Sequence, residues 1–234
     1  MASSVGRKRS GRVRGGRSAL RFVLGFGAFF TLLWLFWNTP AVAPLKIFVV
    51  LLHELSHGLA AVATGGSIDR IVITADQGGA CYCSGGNAFL SLSAGYLGSL
   101  AWGALLVMAA RRLRGFSRWV TGLIGVGILV LGVLYVRNAF GLAFTLSAGG
   151  ALLAAARWSG TEWNAGILSV LGLTSCLYAL LDIKSDVLER PELDSDARML
   201  AELTGVPTLV WGGLWIAAGL GLSWLLFRWL WRDA

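Results

Sequence analysis

The residues best suited to chemistry lie in one short stretch, His53-Glu54-Leu55-Ser56-His57, which contains both histidines of the 234-residue chain. On a helix, positions i and i+4 lie on one face, so the two imidazoles can bind one metal ion. Glu54 is then free to act as a general base on a metal-bound water. Zinc is the expected ion, because it accepts nitrogen and carboxylate ligands in tetrahedral geometry.

The motif lies inside residues 45–64, a stretch otherwise apolar enough to cross a bilayer. A charged residue at that depth costs on the order of 2.5–3.5 kcal/mol. A bound metal would offset the cost of burying His53, Glu54 and His57 together. Three alternatives stay open at this point: a haem-binding pair, a proton relay and a hydrogen-bonded polar cluster between helices.

Two histidines leave a catalytic zinc one protein ligand short. Acidic residues are scarce in the apolar segments, which favours Asp182, at the end of a later segment, as the third ligand. Asp186 follows four residues later and can share a helix face with Asp182, so it remains the alternative ligand. The competing interpretation of Asp186 is a solvated charge that pairs with Arg190.

The elements that must position these residues are membrane helices. Hydrophobic residues make up 56% of the chain and charged residues 14%, a balance that excludes a soluble globule of this size. Since about 20 apolar residues cross the hydrocarbon core, we expect an all-α polytopic membrane protein with about six to seven transmembrane helices. The apolar stretches are residues 22–37, 45–64, 87–110, 119–136, 138–156, 163–181 and 203–227.

One passage after the HExxH helix is typical of β structure. Residues 68–74 are rich in strand formers, and Asp76-Gln77-Gly78-Gly79 is a turn signal before a second short run. The passage predicts a small β-hairpin, with an irregular loop as the alternative. Because an exposed strand edge can accept an extended peptide, Ile71 and Ile73 are candidate substrate-binding residues. Asn138 is a third candidate, as a hydrogen-bond donor to an oxyanion or to the substrate backbone.

The formal charge of +8 comes largely from the start of the chain, where seven of the twenty basic residues lie within residues 1–21. This stretch predicts a disordered cytoplasmic arm that touches anionic lipid and binds no nucleic acid. Residues 22–44 are assigned as a membrane anchor and linker, with a cleaved signal peptide as the alternative. Residues 45–234 are assigned as one helical domain.

The distribution of basic residues also predicts the orientation. A multi-pass protein of the plasma membrane with a cytoplasmic N-terminus is expected. The arginines of residues 111–118 also favour the cytoplasm, yet three full crossings before them would place them outside. Either one of the first three apolar segments does not span, or the positive-inside rule fails here.

Together these residues resemble the site-2 protease family of membrane-embedded zinc metalloproteases, and most closely its compact branch without a PDZ domain. The resemblance covers roughly residues 45–210. It rests on His53–Gly58, Thr64-Gly65-Gly66 with the β-like passage, Ser93–Ser99, the stretch Leu177–Asp186, and Leu203–Pro207. Better-known members carry the aspartate ligand in an Asn-Pro…Leu-Asp-Gly motif, whereas this chain has Leu181-Asp182-Ile183.

The resemblance implies that His53, His57 and a later aspartate hold zinc and that Glu54 is the catalytic glutamate. The predicted activity is hydrolysis, by a zinc-activated water, of peptide bonds in membrane-embedded or juxtamembrane substrates. The expected partners are the lipid bilayer and a membrane protein with a transmembrane helix. The alternative is a non-proteolytic protein on the same scaffold that binds metal or retains substrates.

Overall fold

The computed structural model describes residues 24–190 and 194–232, so the predicted arm at residues 1–21 lies outside the described residues. Within them the chain forms helices and one two-stranded hairpin. The helices are α1 (Leu24–Leu35), α2 (Ala43–Ala63), α3 (Ala88–Arg112), α4 (Ser117–Tyr135), α5 (Ala139–Trp158), α6 (Thr161–Lys184), α7 (Asp196–Thr204) and α8 (Thr208–Arg232). The strands are β1 (Ser67–Ile73) and β2 (Gly79–Ser84).

Six helices of the described residues are long and apolar enough to cross a membrane, namely α2, α3, α4, α5, α6 and α8. The described part of helix α1, Leu24–Leu35, is a shorter apolar stretch, and α7 is a short helix of mixed polarity. The prediction of an all-α polytopic membrane protein with a hairpin after the HExxH helix is confirmed.

The chain divides into two compact units. Within the described residues, the first comprises Leu24–Ala43 and Ser223–Arg232. In its described part, the ring of Phe26 lies against that of Phe30 at 4.6 Å and that of Phe227 at 5.5 Å. The second unit, Pro44–Leu222, contains the HExxH motif, the hairpin and helices α3 to α7.

Helix α2 carries the HExxH motif and is buried along most of its length. It ends at Ala63, and the left-handed conformation of Gly65 (φ 89°) turns the chain back so that the amide of Gly66 donates to the carbonyl of Ala61 at 2.8 Å. The hydroxyl of Thr64 accepts from the amide of Asn87 at 2.8 Å. These contacts fix the start of the hairpin and the start of α3 beside the end of α2.

The two strands of the hairpin are antiparallel, with Ile71 opposite Cys81 and Ile73 opposite Gly79. The second edge of β1 is also occupied. The chain between α4 and α5 runs parallel to it, and the amide of Arg137 donates to the carbonyl of Ile71 at 3.1 Å. The hairpin is therefore tied to the helices on the β1 side.

Close helix approaches occur where glycines face each other. A β-carbon added at Gly103 of α3 would lie 2.8 Å from the carbonyl oxygen of Gly172 on α6. Small residues let backbones approach in this way, where lipid offers no hydrophobic drive for association. The close packing of α6 against α3 places the end of α6, with Asp182, beside α3, the helix that faces the histidines.

The last predicted segment, residues 203–227, is divided in the structure. Leu203 and Thr204 complete α7, Gly205 adopts a left-handed conformation (φ 73°), and α8 begins at Thr208 after Pro207. Glycine after a helix end and proline before the next helix are the signals that stop and restart helices. The break at Gly205–Pro207 separates the short helix α7 from α8.

Candidate active site

The two histidines of α2 meet at the side of the helix that faces α3 and α7. Their rings lie 4.7 Å apart in an edge-on arrangement, as the spacing of four residues predicts. Both side chains are largely withdrawn from solvent, with exposed fractions of 13% for His53 and 10% for His57. The helix thus delivers two imidazole Nε2 atoms into a buried position.

A carboxylate from a distant part of the chain completes this group. Oδ2 of Asp196 lies 2.9 Å from Nε2 of His53 and 3.2 Å from Nε2 of His57. Among the described residues, these three form the group of His, Cys, Asp and Glu side chains able to hold a metal ion. Burial raises the pKa of the Asp196 carboxyl, but the charge of His57 and the hydrogen bond from His53 outweigh burial and hold it below its usual range.

Asp196 owes its position to the packing of α7. It is the first residue of that helix, after Ser195, whose side chain accepts from the amide of Arg198 at 3.3 Å. Ala197, the next residue, and Leu200, about one turn further, are fully buried in a core with Tyr96, Ile183 and Trp215. The buried face of α7 therefore fixes where the carboxylate of Asp196 points.

The carbonyl of Ser91 defines the orientation and tautomer of His57. It lies 2.7 Å from Nδ1 of His57, and because a carbonyl oxygen can only accept, Nδ1 must carry the proton. In the neutral ring Nε2 then holds the lone pair that faces Asp196. Such an outer hydrogen bond is typical of a metal-binding histidine.

The space around the histidines depends on Gly95 of α3. A β-carbon at Gly95 would lie 2.4 Å from Nε2 of His53 and 2.6 Å from Nε2 of His57. No larger residue fits at this position without moving the imidazoles. In the sequence, Gly95 belongs to the Ser93–Ser99 segment that carries the resemblance, whereas the structure places it against both imidazoles.

Glu54 is buried beside the histidines and points to the hairpin. A β-carbon at Gly79, the first residue of β2, would lie 2.5 Å from its Oε1 atom. Glu54 is not part of the three-residue group, and its carboxylate accepts a hydrogen bond from the backbone amide of Cys81 on β2. Helix α2, the hairpin, α3, α6 and α7 line a cavity of about 590 Å³. The two histidines, Glu54 and Asp196 are among the residues that line it.

Two thiols of β2 also line this cavity. The Sγ atoms of Cys81 and Cys83 lie 2.8 Å apart, at hydrogen-bonding distance. Burial raises the pKa of both thiols.

Asp182 and Asp186 line the same cavity from the end of α6. Asp182 does not belong to the group formed by His53, His57 and Asp196. Asp186 accepts from the guanidinium of Arg190 at 2.8 Å, the pairing that the sequence predicted, and from the hydroxyl of Tyr96 at 2.6 Å. The ring of Tyr96 lies edge-on to His53 at 5.0 Å, so Asp186 is linked to the site through Tyr96.

The three residues predicted to bind substrate form the tie between the hairpin and the α4–α5 junction. Ile71 and Ile73 are fully buried. The side-chain amide of Asn138 donates to the carbonyl of Ile73 at 2.6 Å and accepts from its amide at 3.2 Å. In this structure the β1 edge is occupied by the chain itself, and the substrate role of these residues stays a prediction.

A family model described as Peptidase M50B-like matches residues 26–226, which is most of the chain. The chain belongs to the Peptidase M50B-like family. Comparisons with curated proteins and with solved structures found no match. Membership supports the resemblance to the site-2 proteases, and with six apolar helices it makes the chain a multi-pass membrane metalloprotease of that general type.

Sequence reasoning identified the histidines and Glu54 but passed over Asp196 and Ser91, and it gave Gly95 and Tyr96 no role at the site. Ser195-Asp196 before a short amphipathic run is a helix-start signal and could have drawn attention to α7. Nothing local, however, indicates that Asp196 meets a histidine 143 residues away.

Proposed function

We propose that this protein is a zinc-dependent endopeptidase that cuts membrane proteins within or next to the bilayer. The observation that supports it best is the meeting of His53, His57 and Asp196 beside Glu54 at a cavity. The general protease class comes from the family, and the proposal adds the metal, the role of each residue and the kind of substrate.

The donor set fits zinc. Two imidazole nitrogens and one carboxylate oxygen are ligands of catalytic zinc sites, whose bond lengths of about 2.0–2.2 Å separate tetrahedral ligands by about 3.3 Å. The separations of 2.9 and 3.2 Å between Asp196 and the two histidines are close to that value. With the Nδ1 proton of His57 donated to the carbonyl of Ser91, the Nε2 atom of His57 faces the carboxylate and can serve as a metal ligand beside it.

Each protein group then has a defined task. Zinc, when bound, supplies Lewis acidity that lowers the pKa of a water and polarises a peptide carbonyl. Glu54, one residue from the ligand His53, accepts a proton from the attacking water and later gives it to the leaving amine. Gly79 leaves room for this carboxylate at the hairpin.

The substrate needs an extended segment, because the carbonyls of an intact membrane helix are bonded within that helix. The edge of β1 is occupied by residues 136–138, whereas Gly79, Ala80, Cys81 and Cys83 of β2 line the catalytic cavity. We therefore place the unwound segment of a substrate's transmembrane helix along β2, where main-chain hydrogen bonds would align it.

The orientation follows from the arginines at one end of the helices. If the arginines of residues 111–118 are cytoplasmic, the catalytic cavity, at the other end of α3 and α6, opens on the outer side of the plasma membrane. A cytoplasmic N-terminus then requires that the apolar segment before α2 does not cross the membrane.

The first test is metal content together with Glu54-dependent cleavage. The purified full-length protein is expected to contain about one zinc per chain, with the zinc lost in His53→Ala and retained in Glu54→Gln. Removal of the general base should slow cleavage by about 10²–10⁴-fold. Cleavage is measured by profiling new N-termini in membranes of cells that express the wild type or the Glu54→Gln variant.

Each outcome separates the candidate functions. New termini within or beside hydrophobic segments that depend on Glu54 would support the protease. Zinc without any Glu54-dependent cleavage would favour the alternative, a metal-binding protein that retains substrates. A wild type that holds no metal under non-chelating conditions would rule out the zinc enzyme.

A further inference from the structure

The end of the helix bundle that lies away from the catalytic cavity is strongly basic. Here α3 ends, α4 begins, α5 ends and α6 begins, and the hydroxyl of Ser117 donates to the carbonyl of Thr161 at 2.7 Å. Residues 111–118 and 157–163 contain five arginines and one acidic residue, Glu162, which pairs with Arg114. This end therefore carries a surplus of positive charge.

A groove between α4 and α5 opens at this end. It has a volume of about 670 Å³ and is lined by Arg118 and Arg157 at its basic end and by Leu123, Val126 and Leu153 further along. Gly122 and Ala156 keep its floor low, since a β-carbon at Gly122 would lie 3.4 Å from that of Ala156. The groove is thus cationic at one end and apolar along its length.

Contacts with the end of α5 hold Arg118 in place. Its Nε donates to the carbonyl of Ala156 and its Nη2 to the carbonyl of Arg157, both at 2.9 Å. A guanidinium has five N–H donors, so three remain for a ligand. Because the group is already ordered, binding an anion costs little further side-chain entropy.

Tryptophans place this basic end at the depth of the lipid headgroups. Trp119, Trp158 and Trp163 are 75–80% exposed around the groove and the neighbouring helix ends. Exposed tryptophans of membrane proteins concentrate at the interface between headgroups and hydrocarbon. The apolar part of the groove, where Leu123 is 73% exposed, then lies at the depth of acyl chains.

We propose that this groove, defined by Arg118, Arg157, Leu123, Val126 and Leu153, is a binding site for an acidic glycerophospholipid. Arg118 and Arg157 bind the phosphate, and an acyl chain lies along the three apolar residues. The surplus of positive charge favours an acidic headgroup over a zwitterionic one, as in other basic pockets between membrane helices. This site is separate from the proposed proteolytic function.

The test compares lipid retention by the full-length protein, measured by native mass spectrometry after addition of phosphatidylglycerol or phosphatidylcholine. The wild type is expected to retain phosphatidylglycerol preferentially. Arg118→Gln and Arg157→Gln should each reduce this retention about fivefold. Arg137→Gln is the matched control, because Arg137 lies at the opposite end of the same two helices and also donates to helix-end carbonyls, those of Val133 and Val136.

A second variant guards against a folding defect in the arginine variants. Val126→Trp should fill the apolar part of the groove and reduce retention while the charges remain. Glycerol phosphate, which has the headgroup chemistry without acyl chains, should not displace the lipid. Equal retention of both lipids by the wild type, an equal loss in Arg137→Gln, full retention in Val126→Trp, or displacement by glycerol phosphate would each overturn the proposal.

Discussion

At the scale of single residues, the site depends on a carboxylate that reaches two imidazoles at once. Oδ2 of Asp196 lies within 3.2 Å of both Nε2 atoms, whereas Asp182 lines the cavity without joining that group. An aspartate in direct contact with both ligand atoms is the stronger candidate for the third zinc ligand. Asp182, the ligand that the sequence favoured, stays a prediction.

Asp196→Ala and Asp182→Ala should separate these two roles. Loss of an outer partner of a metal ligand weakens metal affinity about 10–100-fold, and loss of a ligand should weaken it more. We expect Asp196→Ala to lose its zinc and its activity, and Asp182→Ala to retain zinc, both measured by metal analysis after dialysis. The opposite pattern would restore Asp182 as the ligand.

At the scale of elements, three pieces of the chain meet at the motif helix: α3 with Gly95, the hairpin with Gly79, and α7 with Asp196. Two of them contribute space. Side chains at Gly95 and Gly79 would collide with the histidines and with Glu54. One glycine of a helix and one of the hairpin therefore keep open the space that the side chains of the site occupy.

Gly95→Ala should disrupt the site while the fold persists. Overpacking a well-packed region costs typically about 1–3 kcal/mol, and the added carbon lies against the atoms that would bind zinc. We expect loss of zinc and of cleavage, with thermal unfolding of the purified protein as the measure of stability. Gly127→Ala on α4 is the control, because nothing lies within 4 Å of its added carbon. Normal zinc content in Gly95→Ala would contradict this role.

At the scale of the whole molecule, chemistry and charge lie at opposite ends of the helices in the second unit. Helix α2, the hairpin, the start of α3, the end of α6 and α7 line the cavity, whereas the arginines and the groove between α4 and α5 lie where α3 and α5 end. Such a separation suits a protease that meets its substrate on one side and anionic lipid on the other.

Labelling with a membrane-impermeant maleimide tests the orientation. Asp194→Cys lies beyond the end of α6 and Glu162→Cys lies in the first turn of that helix, and both side chains are exposed. Each variant is placed in a background without the three native cysteines. Intact cells should label Asp194→Cys, and Glu162→Cys should react only after permeabilisation. The reversed pattern would place the catalytic cavity on the cytoplasmic side.

Several parts of this protein could be predicted from local pattern. Long apolar runs have to become membrane helices, because no other continuous segment satisfies its own backbone in lipid. The spacing of His53 and His57 dictates a common helix face, and the rarity of charge makes the motif conspicuous. Strand formers on both sides of a turn signal were sufficient to predict the hairpin.

Tertiary structure alone decided what meets the motif. Asp196, Ser91 and Gly95 reach the histidines through the packing of α3 and α7, and Asn138 reaches β1 from 65 residues away. Sequence spacing determines which residues share a face of one element. It does not determine which elements touch, because that depends on how small residues and buried side chains fit together across the whole bundle.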